Sequence, residues 1–264
     1  MNQPLAYVHP SAKIADTVVI EPFTTIHKNV EIGEGTWIGS NVTIMEGARI
    51  GKNCRIFPGA VISAIPQDLK FEGEDTTAEV GDGTIIRECV TINRGTKAAG
   101  ATIVGKHCLL QAYSHIAHDC VVGDHAIIVN GCAIAGHVEI GEYAILGGLS
   151  AVQQFTKIGA HAFVGGGSLV RKDVPPFVKA AKEPISYAGI NSIGLRRRGY
   201  DNDKINEIQN IYRILFQKNF NVTQAAEIIE ADFEATKERD EILTFIRTSQ
   251  TGIMKGFSLT RNAG

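Results

Sequence analysis

From Val8 onwards the chain places a branched aliphatic residue at every sixth position, with two interruptions. The series runs through Ile14, Ile20, Ile26, Ile32, Ile38, Ile44, Ile50, Ile56 and Ile62, and resumes at Val80, Ile86 and Ile92. It then continues from Val104 through Leu110, Ile116, Val122, Ile128, Ile134, Ile140, Leu146, Val152, Ile158 and Val164 to Val170. Of 28 positions in this register, 25 are Val, Ile or Leu, and the exceptions are Asp68, Glu74 and Ala98. Two residues before each aliphatic stands only Ala, Val, Thr, Ser or Cys, and one residue after it ten of the 25 are Gly. A helix of period 3.6 cannot produce a period of six, and simple alternation would not separate large from small. The pattern therefore predicts short strands, each turning one large and one small residue inward, followed by a turn where Gly permits positive φ.

The interruptions, 63–79 and 93–103, keep the six-residue phase and read as loops leaving the repeat; loops longer than a tight fold needs are often functional. The register ends after Asp173-Val-Pro-Pro, which bounds a β domain at 1–173. Residues 174–200 read as a connector punctuated by Pro and Gly, closing with Leu195-Arg-Arg-Arg-Gly-Tyr200. Residues 201–264 change to a helical period. Ile205, Ile208, Ile211, Tyr212, Leu215 and Phe216 make one apolar stripe. Asn221 and Gln224 resemble a capping box opening a second helix, and a third spans about 238–248. This tail is expected to cap the open end of the strands, where unpaired edges invite aggregation, and to serve as a docking element.

Composition narrows the class. With 26 basic and 28 acidic side chains the net charge is −2, which argues against a nucleic-acid binder. No run of 18 apolar residues is present and the start has no basic and apolar leader pattern, so a cytoplasmic protein is the expectation. The five cysteines are odd in number and form no C-x-x-C, which fits neither a disulfide framework nor a cysteine zinc site. Cys54, Cys108, Cys120 and Cys132 occupy the small inward position and read as packing residues.

This six-residue pattern resembles the hexapeptide-repeat proteins, left-handed parallel β-helices in which three hexads make one triangular coil of 18 residues. The handedness is implied by the family, since parallel crossovers are generally right-handed. Residues 8–172 would then supply about nine coils, a prism roughly 45 Å long at the usual strand spacing. In that frame His107, His125, Tyr143 and His161 stack along one edge and are expected to be solvated. His115, His118 and His137 fall on another edge, with His118 under Gly136 and Gln154 and Asp119 under His137. Imidazoles beside a carboxylate can perform general base catalysis, because an imidazole titrates close to neutral pH and a carboxylate fixes its tautomer.

Longer motifs are more specific. Ser114-His-Ile-Ala-His-Asp-Cys120, Ala135-Gly-His137, Gly147-Gly-Leu-Ser-Ala-Val-Gln-Gln-Phe155 and Ile158-Gly-Ala-His161 resemble the UDP-N-acetylglucosamine O-acyltransferases, which catalyse the first step of lipid A synthesis. So do Gln67-Asp-Leu-Lys70, Arg87-Glu-Cys-Val-Thr-Ile-Asn-Arg-Gly95 and Gly189-Ile-Asn-Ser-Ile-Gly-Leu-Arg-Arg-Arg-Gly199, and the resemblance covers essentially the whole chain. It implies that His118 takes the proton from the glucosamine 3-hydroxyl of UDP-N-acetylglucosamine and that Asp119 orients the imidazole. The Gly136 N–H is the implied oxyanion donor. The acyl donor would be a (R)-3-hydroxyacyl acyl carrier protein, with no covalent acyl-enzyme and no metal or other cofactor.

By the same resemblance Asp68 and Lys70 lie near the sugar, His115, His137 and Gln154 flank the base, and Asn191 and Arg198 contact the uridine diphosphate. Gly148 and Gly166 would line the groove for the acyl chain, and a bare wall at Gly165-Gly-Gly167 implies a long donor. Gly166 stacks on Gly148, on a different edge from His118, so a site using both edges needs two chains, which fits the homotrimer the family implies. Arg196–Arg198, Arg213 and Lys218 are candidates for docking the acidic carrier protein. One departure is Gln153, where the family pattern carries His, and a retuned nucleotide affinity is expected there. Three other readings compete. A non-catalytic structural solenoid, such as an ice binder, would need a regular outward Thr array, whereas the outward positions here are irregular and charged. An N-acyltransferase relative would usually carry an extra N-terminal domain, whereas this repeat starts at Val8. A hexapeptide-type carbonic anhydrase would hold zinc on three histidines shared across a trimer, for which His115, His118 and His137 are the candidates.

Overall fold

The structure, a computed structural model, describes residues 4–218 and 220–256. The final eight residues of the helical tail expected over 201–264 thus lie outside the described residues. From Tyr7 to Val170 the chain folds into strands mostly two residues long, such as Thr25–Ile26, Trp37–Ile38 and His115–Ile116. They assemble into three sheets, parallel throughout the prism, of nine, eight and eight strands, and three strands of the tail extend the last to eleven. The first face runs from Tyr7–Val8 to Leu169–Val170, the second from Lys13–Ile14 to Lys157–Ile158, and the third from Val19–Ile20 through Phe163–Val164 into the tail. Successive strands visit the faces in turn, the arrangement of a left-handed parallel β-helix. The second residue of each pair points inward, and Ile26, Ile38, Ile56, Ile86, Ile116 and Ile134 are fully buried. Truncating one such isoleucine to alanine costs about 2–5 kcal/mol. Cys54, Cys108, Cys120 and Cys132 are buried beside them. Burial pushes the Cys120 thiol up to about 12 and the Cys108 thiol up to about 11, well away from nucleophilic thiolate.

The glycines following the aliphatics have a different role from the expected one. None of the ten lies in the left-handed region. Positive φ falls two residues later, at Asn29, Asn41, Asn53, Asp119, His137 and Tyr143 among others. The early glycine is needed because coils approach closely there. A Cβ on Gly33 would lie 2.8 Å from the Gly51 carbonyl carbon, and one on Gly123 would lie 2.6 Å from the Glu142 nitrogen.

Strands also run into both expected excursions. Val61–Ala64 and Thr77–Val80 flank the first, and Ala101–Val104 follows the second, paired along its length with Thr77–Val80. The chain therefore leaves the prism only over 65–76 and 94–100. The two excursions are tied together: Thr76 Oγ1 donates to the Gly95 carbonyl (2.6 Å) and the Gly95 N–H to the Thr77 carbonyl (3.0 Å).

The stretch read as a connector carries regular structure. Val178–Ala181 adds to the third sheet beside Phe163–Val164, and Ser186–Ile190 turns back antiparallel to it. Helix α1 (Ser192–Arg197) follows, capped by the Asn191 side chain, and then α2 (Asn202–Gln217), α3 (Val222–Asp232) and α4 (Lys237–Thr248). The Asn221–Gln224 capping box opens α3 as its spacing predicts. Asp173 fastens this tail to the last coil. It is fully buried, and its carboxylate accepts from the Lys157 N–H (2.8 Å), Ser249 Oγ (2.6 Å) and Thr251 Oγ1 (2.6 Å).

Candidate active site

Because strands alternate among three faces, residues between strands line three edges of different character. The edge between the first and second faces carries His118 and Asp119, then Gly136 and His137 one coil on, then Gln153, Gln154 and Phe155. Both excursions leave from this same edge, so Asp68 and Lys70 hang beside it on the first of them. There Asp68 Oδ1 accepts from the Lys70 N–H (3.0 Å).

His118 and Asp119 are both buried, and Nδ1 of the imidazole lies 2.8 Å from Asp119 Oδ2. A carboxylate can only accept, so Nδ1 carries the hydrogen, and in the neutral ring that leaves the lone pair on Nε2. Burial opposes charge on Asp119, but hydrogen bonds from His118 and Thr96 outweigh it and hold the carboxyl below its ordinary range. Nε2 faces Gly136, where a Cβ would fall 2.7 Å from it and 3.2 Å from Gln154 Nε2. Among the described residues no acceptor takes the Gly136 N–H. His137 closes the other side: its ring meets that of His118 edge-on at 5.1 Å and stacks on Phe155 at 4.6 Å. Its Nε2 lies 3.6 Å from Asp119 Oδ2. His115 faces outward on the first face, with Nδ1 2.7 Å from Thr91 Oγ1. Burial, and secondarily the neighbouring His118, pushes its imidazole below the ordinary value and keeps it neutral.

The other predicted residues sit elsewhere in the chain. Asn191 and Arg198 belong to the edge between the second and third faces, where Asn191 Nδ2 donates to the His161 carbonyl (2.9 Å) and Arg198 Nη2 to the Tyr143 carbonyl (2.9 Å). That edge is a ladder of stacked rings, His107, His125, Tyr143, His161 and Phe177, spaced 4.5–5.5 Å apart. It was expected to be solvated along its length. Only the His107 end is; the tail covers His161, whose imidazole is pushed down to about 4 by burial, with Arg198 and Lys237 adding to the shift. Gly148 and Gly166 lie on the third edge, stacked so that a Cβ on Gly166 would be 3.2 Å from the Gly148 carbonyl oxygen.

Thr96 escaped the sequence reading. It lies in the second excursion, one residue past a motif that ended at Gly95, and only its return to Asp119 marks it. Its N–H donates to Oδ1 (2.8 Å) and its hydroxyl to Oδ2 (2.7 Å). Among the described residues one group could hold a metal ion, His118, Asp119 and His137, with ligand atoms within 4.8 Å of one another. His115 is not part of it, so the three-histidine set is not assembled within the chain.

Residues 173–254 match the family model of UDP-N-acetylglucosamine O-acyltransferase domain 2, and 29–64 and 101–136 match the bacterial transferase hexapeptide model. An acyl-[acyl-carrier-protein]–UDP-N-acetylglucosamine O-acyltransferase of Chlorobium phaeobacteroides is 60% identical over 248 residues, 94% of each chain. Among solved structures, a UDP-N-acetylglucosamine acyltransferase from Bacteroides fragilis is 48% identical with a TM-score of 0.95, over 97% of this chain and all of that one. The Francisella novicida UDP-N-acetylglucosamine acyltransferase is 42% identical with a TM-score of 0.94, covering 97% of this chain and 94% of that one. With a hydrogen-bonded His–Asp pair on one edge of a hexapeptide prism and relatives this close along nearly its whole length, the chain belongs to the UDP-N-acetylglucosamine O-acyltransferase family.

Proposed function

We propose that the chain transfers a (R)-3-hydroxyacyl group from acyl carrier protein to the 3-hydroxyl of UDP-N-acetylglucosamine, the opening step of lipid A synthesis, with His118 as general base. The observation that carries the base assignment is the buried His118–Asp119 pair with Nε2 aimed across one coil at Gly136. His118 Nε2 takes the hydroxyl proton as the oxygen attacks the thioester carbonyl. The Gly136 N–H receives the oxyanion, a contribution typically of about 3–4 kcal/mol. Collapse breaks the carbon–sulfur bond, and the imidazolium returns its proton to the departing thiolate. No residue is acylated, in keeping with the buried thiol of Cys120 next to the dyad. Asp68 and Lys70 hold the sugar from the first excursion, beside His115, His137 and Gln154. Gln153, exposed on the same edge, replaces an imidazole contact with an amide.

The working unit is a homotrimer. Six outward residues of the second face are charged (Lys13, Glu31, Arg49, Glu79, Glu139 and Lys157), with ion pairs at Lys13–Glu31 (2.9 Å) and Lys157–Glu139 (3.1 Å), and only Ile103 and Val121 are apolar there. The first face instead presents Thr25, Thr43, Val61, Thr91, Ala133 and Ala151, and the third Ile85, Leu109, Ile127, Ile145 and Phe163. The edge between these uncharged stretches exposes Tyr113 (71%) and Leu149 (76%). Packing the third face of one chain on the first face of the next buries both and sets this edge about a threefold axis. Asn191 and Arg198 of one chain then stand beside His118 of its neighbour, where the guanidinium suits a diphosphate. The acyl chain runs inward toward Gly148 and Gly166. Arg196, Arg197 and Arg213 remain exposed for the acidic carrier protein.

A mass-spectrometric transfer assay tests this reading. Purified protein, UDP-N-acetylglucosamine and a panel of 3-hydroxyacyl carrier proteins should give a monoacylated nucleotide sugar, nearly absent with His118→Ala. Undiminished product from that variant would refute the base assignment while leaving the reaction in place.

A further inference from the structure

A catalytic imidazole is only as well placed as the carboxylate behind it, and here two imidazoles are in reach of one carboxylate. Asp119 Oδ2 is 2.8 Å from His118 Nδ1 and 3.6 Å from His137 Nε2. His115 also faces His118, but its Nδ1 is engaged by Thr91. A carboxylate free to rotate could serve either His118 or His137, and only the first arrangement leaves the base oriented toward Gly136.

Both carboxylate oxygens are held by one residue outside the coil. Oδ1 accepts from the Thr96 N–H (2.8 Å) and Oδ2 from the Thr96 hydroxyl (2.7 Å). The Asp119 backbone is held as well: it sits at φ 60° with its N–H donating to Thr102 Oγ1 (2.8 Å). Thr96 is itself buried and anchored. Its carbonyl accepts from the Gly100 N–H (2.7 Å), and the Gly95 carbonyl before it is taken by Thr76 (2.6 Å). A Cβ on Gly95 would lie 2.4 Å from the Ala101 nitrogen, so the segment passes this point as tightly as backbone allows.

We propose that Thr96 is a positioning residue for acyl transfer, orienting Asp119 toward His118 and away from His137 and so tying the second excursion to the base. This rests on the reading of His118 as the base. The excursion is thereby a support for the dyad, and hydrogen bonds link it through Thr76 to the excursion that carries Asp68 and Lys70.

Steady-state kinetics against pH for the native protein, Thr96→Val, Thr96→Ser and His118→Ala test the proposal. Valine keeps the shape and the backbone N–H and removes only the hydroxyl. Thr96→Val should lower kcat about tenfold, a part of the hundredfold or more that general base catalysis supplies, with KM for UDP-N-acetylglucosamine changed by less than about twofold. The acid limb of its kcat profile should move to lower pH, because the imidazolium loses its aligned carboxylate. Thr96→Ser should recover most of the rate and the native limb. Unchanged melting temperatures show that each variant folds, and Thr96→Ala carries the same comparison if the valine variant does not. Native kcat and pH profile in Thr96→Val, with His118→Ala inactive, would overturn the role of Thr96 alone. Valine and serine variants equally slow, with the limb unmoved, would reduce Thr96 to packing. An active His118→Ala would remove the base and the positioning role together.

Discussion

Gly136 lies directly over the His118 imidazole, so closely that a Cβ at 136 would sit 2.6 Å from Cε1 and 2.7 Å from Nε2. Glycine at this position is therefore a condition for an accessible His118 Nε2, quite apart from any role of its N–H.

Gly136→Ala should accordingly displace the imidazole and lower kcat by at least about a hundredfold, the usual contribution of a general base. Its melting temperature should stay near native, since the added methyl meets a side chain at an edge and leaves the inward packing untouched. Transfer assays and thermal melts on the same preparation check both halves. A fully active alanine variant would mean the ring can work from another position.

Gly166 is exposed, and the nearest atom to an added Cβ is the Gly148 carbonyl oxygen at 3.2 Å. Gly166→Met should fold with a shift of a few tenths of an ångström at the Gly148 carbonyl and, if Gly166 lines the proposed acyl groove, move the preferred donor to a shorter 3-hydroxyacyl chain. Competition among carrier proteins of graded chain length, read by mass spectrometry, measures the shift. An unchanged chain-length profile would remove Gly166 from the groove.

His118 and Arg198 occupy different edges of the same prism, which makes subunit mixing informative. His118→Ala and Arg198→Ala proteins should each be nearly inactive. Unfolded and refolded together in equal amounts, they should regain about a quarter of native activity. Three in four trimers are then mixed, and each mixed trimer holds one intact site of three. No recovery in verified mixed trimers would place both residues in one chain's site. Leu149→Asp, on the edge facing the proposed axis, should dissociate the trimer in sedimentation experiments and abolish transfer.

His161 supplies a pH dependence of stability. Its folded-state value is pushed down to about 4 from the ordinary 6.5, so the folded protein favours the neutral ring. The stabilisation is complete above pH 6.5 and is lost as pH falls toward 4, because the unfolded chain binds the proton more readily in that window. The melting temperature should decline from pH 7 to pH 5, and His161→Phe, which keeps a ring in the ladder, should flatten the decline. An equal slope in both proteins would show that other groups govern it.

The sequence by itself determined the prism. An inward position that admits one large aliphatic and one small residue repeats every six residues, and that constraint is local, so it is legible in 25 of 28 register positions. It also grouped His118, Gly136 and Gln154, which are 18 residues apart along an uninterrupted stretch, and the helical period and capping box of the tail. Tertiary structure decided what depends on contacts between coils. Close approach of neighbouring backbones, not backbone dihedral, is what demands glycine after the aliphatic. Burial of His161 depends on where the tail folds back. Most of all, the excursions break the 18-residue spacing: Val61 pairs with Thr91 and Thr91 with His115, offsets of 30 and 24 residues. Thr96 reaches Asp119 across 23 residues for the same reason. A repeat predicts what stacks on what only while its period holds; where the chain leaves the prism and returns, packing alone decides which side chain meets the Asp119 carboxylate.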